Sequence, residues 1–483
     1  MTYVMDNTGK AWRKYFEDLC AIPHESFNEK GVSDYLAGFA REKGLWHHQD
    51  GIWNVIIKKP ASPGYEDHPP VMLQGHTDMV CEKVPGSSFN FDTDPLQLYA
   101  EDGWIKAKGT TLGADNASGI AYMLAVLGDN TLKHPPIEAF FSVQEEVGIG
   151  GPRFVDYSLF TARKLINFDE MNEGCIAVAT GNVVGGTFLK SLAFVSAKEL
   201  PAYTLHVGGL FGGHAAMNII NEQCNAIKAS ARIMFQFMKE FRLNITDYIG
   251  GRHPQKNNIP TDAYVTFTCA DGSIDELERI AFDAEAKHKI EHRVSDPGLY
   301  VELKNAGTAV RVYDDISTKS IVEFVLTLPT GMSMRSREVE DFPVGSRNMG
   351  TLFIDNDQLN IGYMFRAAHK SIISDQMDQT LVLADKFGAV YQEEYRYSGI
   401  YDPEDTALKK LYAKVYKEAS GNDLTYKYIH GGTDVGTIVD NIPGMDSVSF
   451  GPNTVDIHRP GERMEIASFD RVFGHIVTML ERL

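Results

Sequence analysis

Residues 140–150 read FFSVQEEVGIG: an apolar run through Phe140, Phe141 and Val143, then two adjacent glutamates, Glu145 and Glu146, then a glycine-rich turn. Extended back to Ile137, the run has the length and composition of a buried strand. Two like charges side by side at its end repel unless something of opposite sign stands near them.

Working outward, element types alternate. SDYLAGFAREKG (33–44) has helical spacing, whereas WNVIIKK (53–59), VMLQGH (71–76) and KLINF (164–168) read as strands. NASGIAYMLAVLGDN (116–130) predicts a helix opened by Asn116. Strands alternating with helices imply a mostly parallel sheet covered on both faces. From about residue 190 the texture changes: YTLHVGGL (203–210), a long helix near 215–240, AYVTFTCA (263–270), an amphipathic helix at 273–292, LNIGYMF (359–365) and a helix within 374–388. After YSGIYDPED the first texture returns, with a helix at 405–419, a strand at 445–450 and a final helix at 466–482. The expected fold is therefore an α/β catalytic domain in two segments, 1–189 and 399–483, interrupted by an α+β lid domain at 190–398.

Composition narrows the function classes. The 483 residues exceed one typical core, consistent with two domains. A net charge of −19 opposes binding to phosphate backbones, so nucleic acid is not an expected partner. No window approaches the apolar length of a membrane span and the start is polar, so the expectation is a cytoplasmic protein with no membrane contact. The five cysteines are scattered without a CxxC pair, which suggests neither a disulfide framework nor a thiolate metal site.

Nitrogen and oxygen ligands collect at strand ends and the loops that follow them. His76 and Asp78 in QGHTDMV stand two apart, on one face of extended chain. Asp115 lies in GTTLGADNASG, Asp169 ends LINFDE, and His458 lies in FGPNTVDIHRPGE after a strand. Each alone has an ordinary reading as a cap, an Asx-turn or a hydrogen-bonded histidine. Together with Glu145 and Glu146 they place ligands from five loops at the carboxyl edge of one sheet, where open α/β folds bind ligands.

These motifs resemble those of the M20 metallopeptidases, most nearly the aminoacyl-histidine dipeptidase (Xaa-His dipeptidase) branch. The matching pieces are IPHESFNE, LQGHTDMV, KGTTLGADNASGIA, EEVGIGG, INFDEMNEG, GLFGGHAA, NNIP, YMFRAAHKS, IHGGTDVG and SFGPNTVDIHRPGE, spread over nearly the whole chain. The resemblance implies a zinc-peptidase catalytic domain, a lid that mediates homodimerisation, and two Zn²⁺ per subunit, with Co²⁺ or Mn²⁺ as alternatives. By motif, His76 and Asp169 hold one zinc, Glu146 and His458 the other, and Asp115 bridges both. Asp78 then fixes the tautomer of His76, and a cis peptide follows Asp115. Glu145 acts as general base toward metal-bound water, which attacks the peptide bond of a small peptide. The lid residues His214, Asn257 and Arg366 reach the substrate, the arginine at its C-terminal carboxylate, and His430 with Gly432 shapes the same pocket.

The sequence departs from the family pattern in substrate-facing and dimer-facing segments. Ala215 and Ile220 replace a serine and a histidine, Lys256 an arginine, and Asp434 a glutamate, while every ligand motif and Glu145 are retained. The expected activity is thus dipeptide hydrolysis, with Xaa-His dipeptides as the first substrates to test. The alternatives are another amidohydrolase of the superfamily (aminoacylase, N-deacylase or tripeptidase) and a non-catalytic metal- or peptide-binding protein. Retention of Glu145 argues against the last, since a pure binder has no use for a carboxylate beside the metals that does not ligate them.

Overall fold

The computed structural model describes residues 3–402 and 405–483; residues 1–2 and 403–404, which fall in the two expected catalytic segments, lie outside it. The chain divides into two units, one comprising residues 1–180, 399–428 and 432–483, the other residues 181–398 and 429–431.

The first unit is built on a six-stranded sheet ordered Trp46–Gln49, Val55–Lys59, Ile137–Ser142, Val71–His76, Lys164–Asn167, Asp446–Ser449. The last four run parallel, in register Val71 with Ile137, Met72 with Leu165 and Lys164 with Asp446, and the first two add antiparallel edges. Alternation along the strands builds a core on each face. Val55, Ile57, Val71, Leu73, Ala139, Phe141 and Ile166 join the larger core; Ile56, Met72, Phe140 and Leu165 join a smaller one with Ile438 of the helix Asp434–Asn441 and Ile442 just after it. The helix Ala114–Gly128 is apolar on all sides because it is buried on all sides. Its first turn is not regular: Asp115 and Asn116 have non-helical backbone angles, so the helix proper starts after Asn116. The Asp115–Asn116 peptide is cis.

The second unit carries a nine-stranded antiparallel sheet whose edge strand is Tyr300–Tyr313, next to Phe194–Gly208. Leu205 and Val207 are buried while Thr204 and His206 are half-buried, the signature of a sheet with one face packed and one wet. The packed face meets the helices Ala226–Glu240, Ile274–Glu291, Asp315–Thr327 and Lys370–Lys386 in one core. Ser273 and Glu276 close a reciprocal capping box on Ile274–Glu291, which fixes its start where the sequence places it.

Two expectations shift. The boundary at 189 falls inside the strand Asn182–Ser191, which pairs along its length with Gln358–Ala367 and with Val390–Tyr397; a strand cannot be divided from its ladder, so the change of unit comes at Thr180. The helix expected near 215–240 begins only at Ala226, where the Asn225 side chain accepts the Lys228 N–H. Residues 213–214 instead pair with 258–259 as strands, after Gly212 and Gly213 at positive φ.

Candidate metal centre

His76 is the last residue of its strand and is buried. Its Nε2 stands 2.9 Å from Asp115 Oδ1 and 3.5 Å from Asp169 Oδ1. The other Asp115 oxygen, Oδ2, lies 3.3 Å from His458 Nε2, which is 2.9 Å from Glu146 Oε1. Asp115 thus faces one imidazole with each oxygen. Candidate ligand atoms fall into three overlapping groups, each within 4.8 Å: His76, Asp115, Asp169; Asp115, Glu146, His458; and His76, Glu145, Glu146.

Asp78 does more than the sequence suggested. Its Oδ1 lies 3.3 Å from His76 Nδ1 and accepts the Glu145 N–H at 3.0 Å, while Oδ2 accepts the Glu146 N–H at 3.2 Å and the Ser26 hydroxyl at 2.8 Å. One buried carboxylate therefore orients the imidazole and pins the double-glutamate loop. That loop leaves the strand through Gln144 at φ 56°, where the Gln144 N–H also donates to Glu29.

Charge in the cluster is unbalanced. Burial, reinforced by Asp115, raises Asp169 to about 6 and Glu146 to about 7, against the pull of His76 and His458. Burial likewise pushes Glu145 well above the usual carboxylate range, with Asp169, Glu146 and Asp434 adding to it and His76 opposing. Burial alone would lower His458, but its hydrogen bonds with Asp115 and Glu146 prevail and lift it to about 10. Four carboxylates crowd two imidazoles: against the cost of burial, hydrogen bonds from both histidines hold Asp115 well below the usual carboxylate range, while Asp169, Glu145 and Glu146 hold on to protons for want of positive charge. Imidazole nitrogens and carboxylate oxygens are a donor set suited to divalent metals such as zinc, so the residues fit a pair of them.

Three buried groups around the centre were not singled out as site residues from the sequence. Glu462, 2 % exposed, accepts the backbone N–H groups of Leu112, Gly113 and Ala114 and so holds the turn that leads into Asp115. Gln74 and Asp434 form a polar layer under the ligands. A carboxylate four residues after a candidate histidine, as in HRPGE, was the readable sign of the first; nothing local marked Gln74.

In the second unit, Asn257 Nδ2 and His214 Nε2 are 3.2 Å apart. Arg366 is 4 % exposed, makes a 3.4 Å hydrogen bond to the His430 carbonyl, and pairs with no carboxylate among the described residues. Its Nε and His430 Nδ1 are buried without hydrogen-bond partners among the described residues. Burial and the neighbouring guanidinium depress His430 to about 3, so it is neutral. Gly432 is the residue at which the chain re-enters the first unit.

Residues 72–482 match the family model of peptidase family M20/M25/M40. The chain is a member of this family. It is 30% identical to the cytosol non-specific dipeptidase of Escherichia coli (strain K12) over 97% of its own length and 96% of that protein's. The crystal structure of aminoacylhistidine dipeptidase from Vibrio alginolyticus superimposes with a TM-score of 0.84 at 28% identity, covering 98% of this chain and 96% of that one. Aminopeptidase PepT from Bacillus cereus shares the fold, with a TM-score of 0.54 at 16% identity over 98% of both chains. The M20 membership that the motifs implied, the α/β fold and the peptide-bond hydrolase class stand.

Proposed function

We propose that this M20 protein is a cytoplasmic dipeptidase with two zinc ions, acting on dipeptides that include Xaa-His. The observation that carries the reading is Asp115 with an imidazole at each oxygen and Glu145 beside the cluster. His76 and Asp169 would hold one metal, Glu146 and His458 the other, and Asp115 both. When bound, the metals supply positive charge that polarises the peptide carbonyl and acidifies water.

The chain's own residues do the rest. Asp78 holds His76 with Nε2 turned to the cluster and fixes the loop from which Glu145 projects. Glu145, whose proton affinity burial raises, takes the proton of the attacking water and returns it to the leaving amine. Arg366, a buried cation without a carboxylate partner among the described residues, supports recognition of a substrate's terminal carboxylate, with neutral His430 and the His214–Asn257 pair as further polar contacts. The names of the E. coli and Vibrio relatives support a dipeptide substrate and, for the first, a cytosolic location.

A homodimer through the second unit belongs to the same reading. Phe282, Ile290 and Val294, 72 %, 74 % and 82 % exposed, form a four-residue-spaced stripe with exposed Ala286 along and just beyond the helix Ile274–Glu291. The first half of this helix carries Asp275, Glu276 and Glu278 with Arg279, and its end carries Lys287 and Lys289 among Asp283, Glu285 and Glu291, with Arg293 just beyond. Two copies related by a two-fold axis near Ala286 would set acid against base.

The test is a dipeptide panel including β-Ala-His, run against N-acyl amino acids, on protein of measured metal content. Cleavage of dipeptides, its loss on chelation and its return with Zn²⁺ are expected. Preference for N-acyl amino acids would favour an aminoacylase or N-deacylase instead, and full activity in metal-free protein would refute the metal centre.

A further inference from the structure

Asp434 is the first residue of the helix Asp434–Asn441 and is 0 % exposed. A carboxyl group taken wholly out of water is costly unless its oxygens are satisfied. Only one is: Oδ2 accepts from Gln74 Nε2 at 2.7 Å and from the Ser142 hydroxyl, while Oδ1 has no partner among the described residues.

The bonds continue across the sheet. Gln74 Nε2 also donates to Ser142 Oγ at 2.9 Å, and Gln74 Oε1 accepts from Asn167 Nδ2 at 2.5 Å. Asn167 Oδ1 accepts from Ser449 Oγ and, at 3.3 Å, from the Asp169 N–H. Strand register makes this a single row: Gln74 opposes Asn167, and Asn167 opposes Ser449. Ser142 opposes His76 itself. Three of these groups sit just ahead of residues of the site. Gln74 is two residues ahead of His76 on the same face, Asn167 two ahead of Asp169, and Ser142 three ahead of Glu145.

A stability role alone does not call for such a layer, because well-packed apolar side chains would hold four strand ends as firmly at lower desolvation cost. Hydrogen bonds add direction. Gln74 can present its amide to Asn167 and to Asp434 in one orientation only, and Asp434 is the acceptor on which that orientation ends. We propose that Asp434 is a positioning residue for the metal centre, acting through Gln74, Ser142 and Asn167 on the strand ends that carry its ligands. The proposal rests on the two-metal reading above.

The test compares D434A, D434N and S142A with the parent chain, each stripped and refilled. The readouts are Zn²⁺ affinity by chelator competition, the visible spectrum of the Co²⁺ form, dipeptide kcat and KM, and melting of the metal-free protein. In D434A the Zn²⁺ affinity and kcat should each fall about 10–100-fold, the Co²⁺ bands should move, and KM should stay within about threefold. In D434N the amide oxygen accepts the same two bonds, so affinity and spectrum should return to near the parent's. Unchanged affinity and spectrum in D434A overturn the proposal, as does a folded D434N as impaired as D434A, since charge and not geometry would then be at work. If D434A does not fold, S142A decides: an affinity loss of several-fold supports the proposal and an unchanged affinity overturns it. A parent chain that takes up no zinc fails differently, overturning the metal-centre reading and the proposal with it.

Discussion

The turn Leu112–Ala114 invites the sharpest test of how the site is held. Its three N–H groups, in the turn that precedes a buried helix, all donate to Glu462, at 2.8, 3.0 and 2.9 Å. Buried backbone N–H groups need acceptors, and one carboxylate serves all three. In Glu462→Gln the amide oxygen can still take the two bonds that Leu112 and Gly113 make to Oε2. The amide N–H₂ then faces the Ala114 N–H, so one bond is lost and two donors oppose each other. Leaving a buried donor unmade costs about 1–3 kcal/mol, which in a domain of this size corresponds to roughly 2–10 °C in melting temperature. Glu462→Ala orphans all three donors and opens a cavity, for about 3–6 kcal/mol. Because Ala114 precedes Asp115, whose oxygens face both histidines, the loss should also weaken metal uptake. Differential scanning calorimetry on the metal-free protein and zinc competition on the refilled one separate the two effects. Alanine at 462 with melting unchanged would refute the hydrogen-bond argument; reduced melting with unchanged zinc affinity would refute the link to Asp115.

Other expected outcomes follow from the same geometry. Glu145→Gln should retain both metals yet lose on the order of 10²–10⁴-fold in kcat, measured by single-turnover hydrolysis with metal analysis; undiminished turnover removes Glu145 from its role as base. Burial raises Glu29, 0 % exposed with one oxygen unpartnered among the described residues, to about 7 from an ordinary value near 4.5. A raised carboxyl favours the folded state below the unfolded pKa, and that contribution is lost as pH rises from about 4.5 through 7, on the order of 3 kcal/mol in all. Thermal melting of Glu29→Gln should therefore decline less between pH 5 and 8 than that of the parent, and parallel curves would contradict the shift. Ile290→Asp, in the exposed stripe of the helix Ile274–Glu291, should convert a dimer to a monomer in light scattering with dipeptidase turnover per folded chain as a separate readout; a parent protein already monomeric dismisses that interface.

What the sequence made legible follows from what is local. The strands Val71–His76 and Ile137–Ser142, the helix Ile274–Glu291 with its Ser273–Glu276 box, and the separate short motifs that carry His76, Asp115, Glu146, Asp169 and His458 all announce themselves in their local sequence. The unit boundary at Thr180 does not, because Asn182–Ser191 belongs to its sheet only through partners some 170–210 residues later in the chain. Nor does the late start of the helix Ala226–Glu240: the composition from 215 onward is helical enough, but pairing of Gly213–His214 with Asn258–Ile259 competes for that backbone. The polar layer beneath the ligands was hidden for the same reason. Gln74 within VMLQGH reads as an interruption of a buried strand until Asn167 and Asp434 are brought beside it.

The adjacent glutamates of FFSVQEEVGIG show how such distant partners resolve a local conflict. Nothing within the loop offsets two carboxylates side by side, and the pair is not separated by strand alternation, since the strand ends at Ser142. The loop is instead held from outside by another acid, Asp78, which takes the Glu145 and Glu146 N–H groups on separate oxygens. Burial raises the proton affinities of both glutamates, with Asp169, Glu146 and Asp434 adding for Glu145 and Asp115 for Glu146. An arrangement that spends a buried carboxylate on fixing two others is stable only with compensating cations, and His76 and His458 provide no more than two. Divalent metals meet that need, which is why binding them should stabilise this unit as well as enable its chemistry.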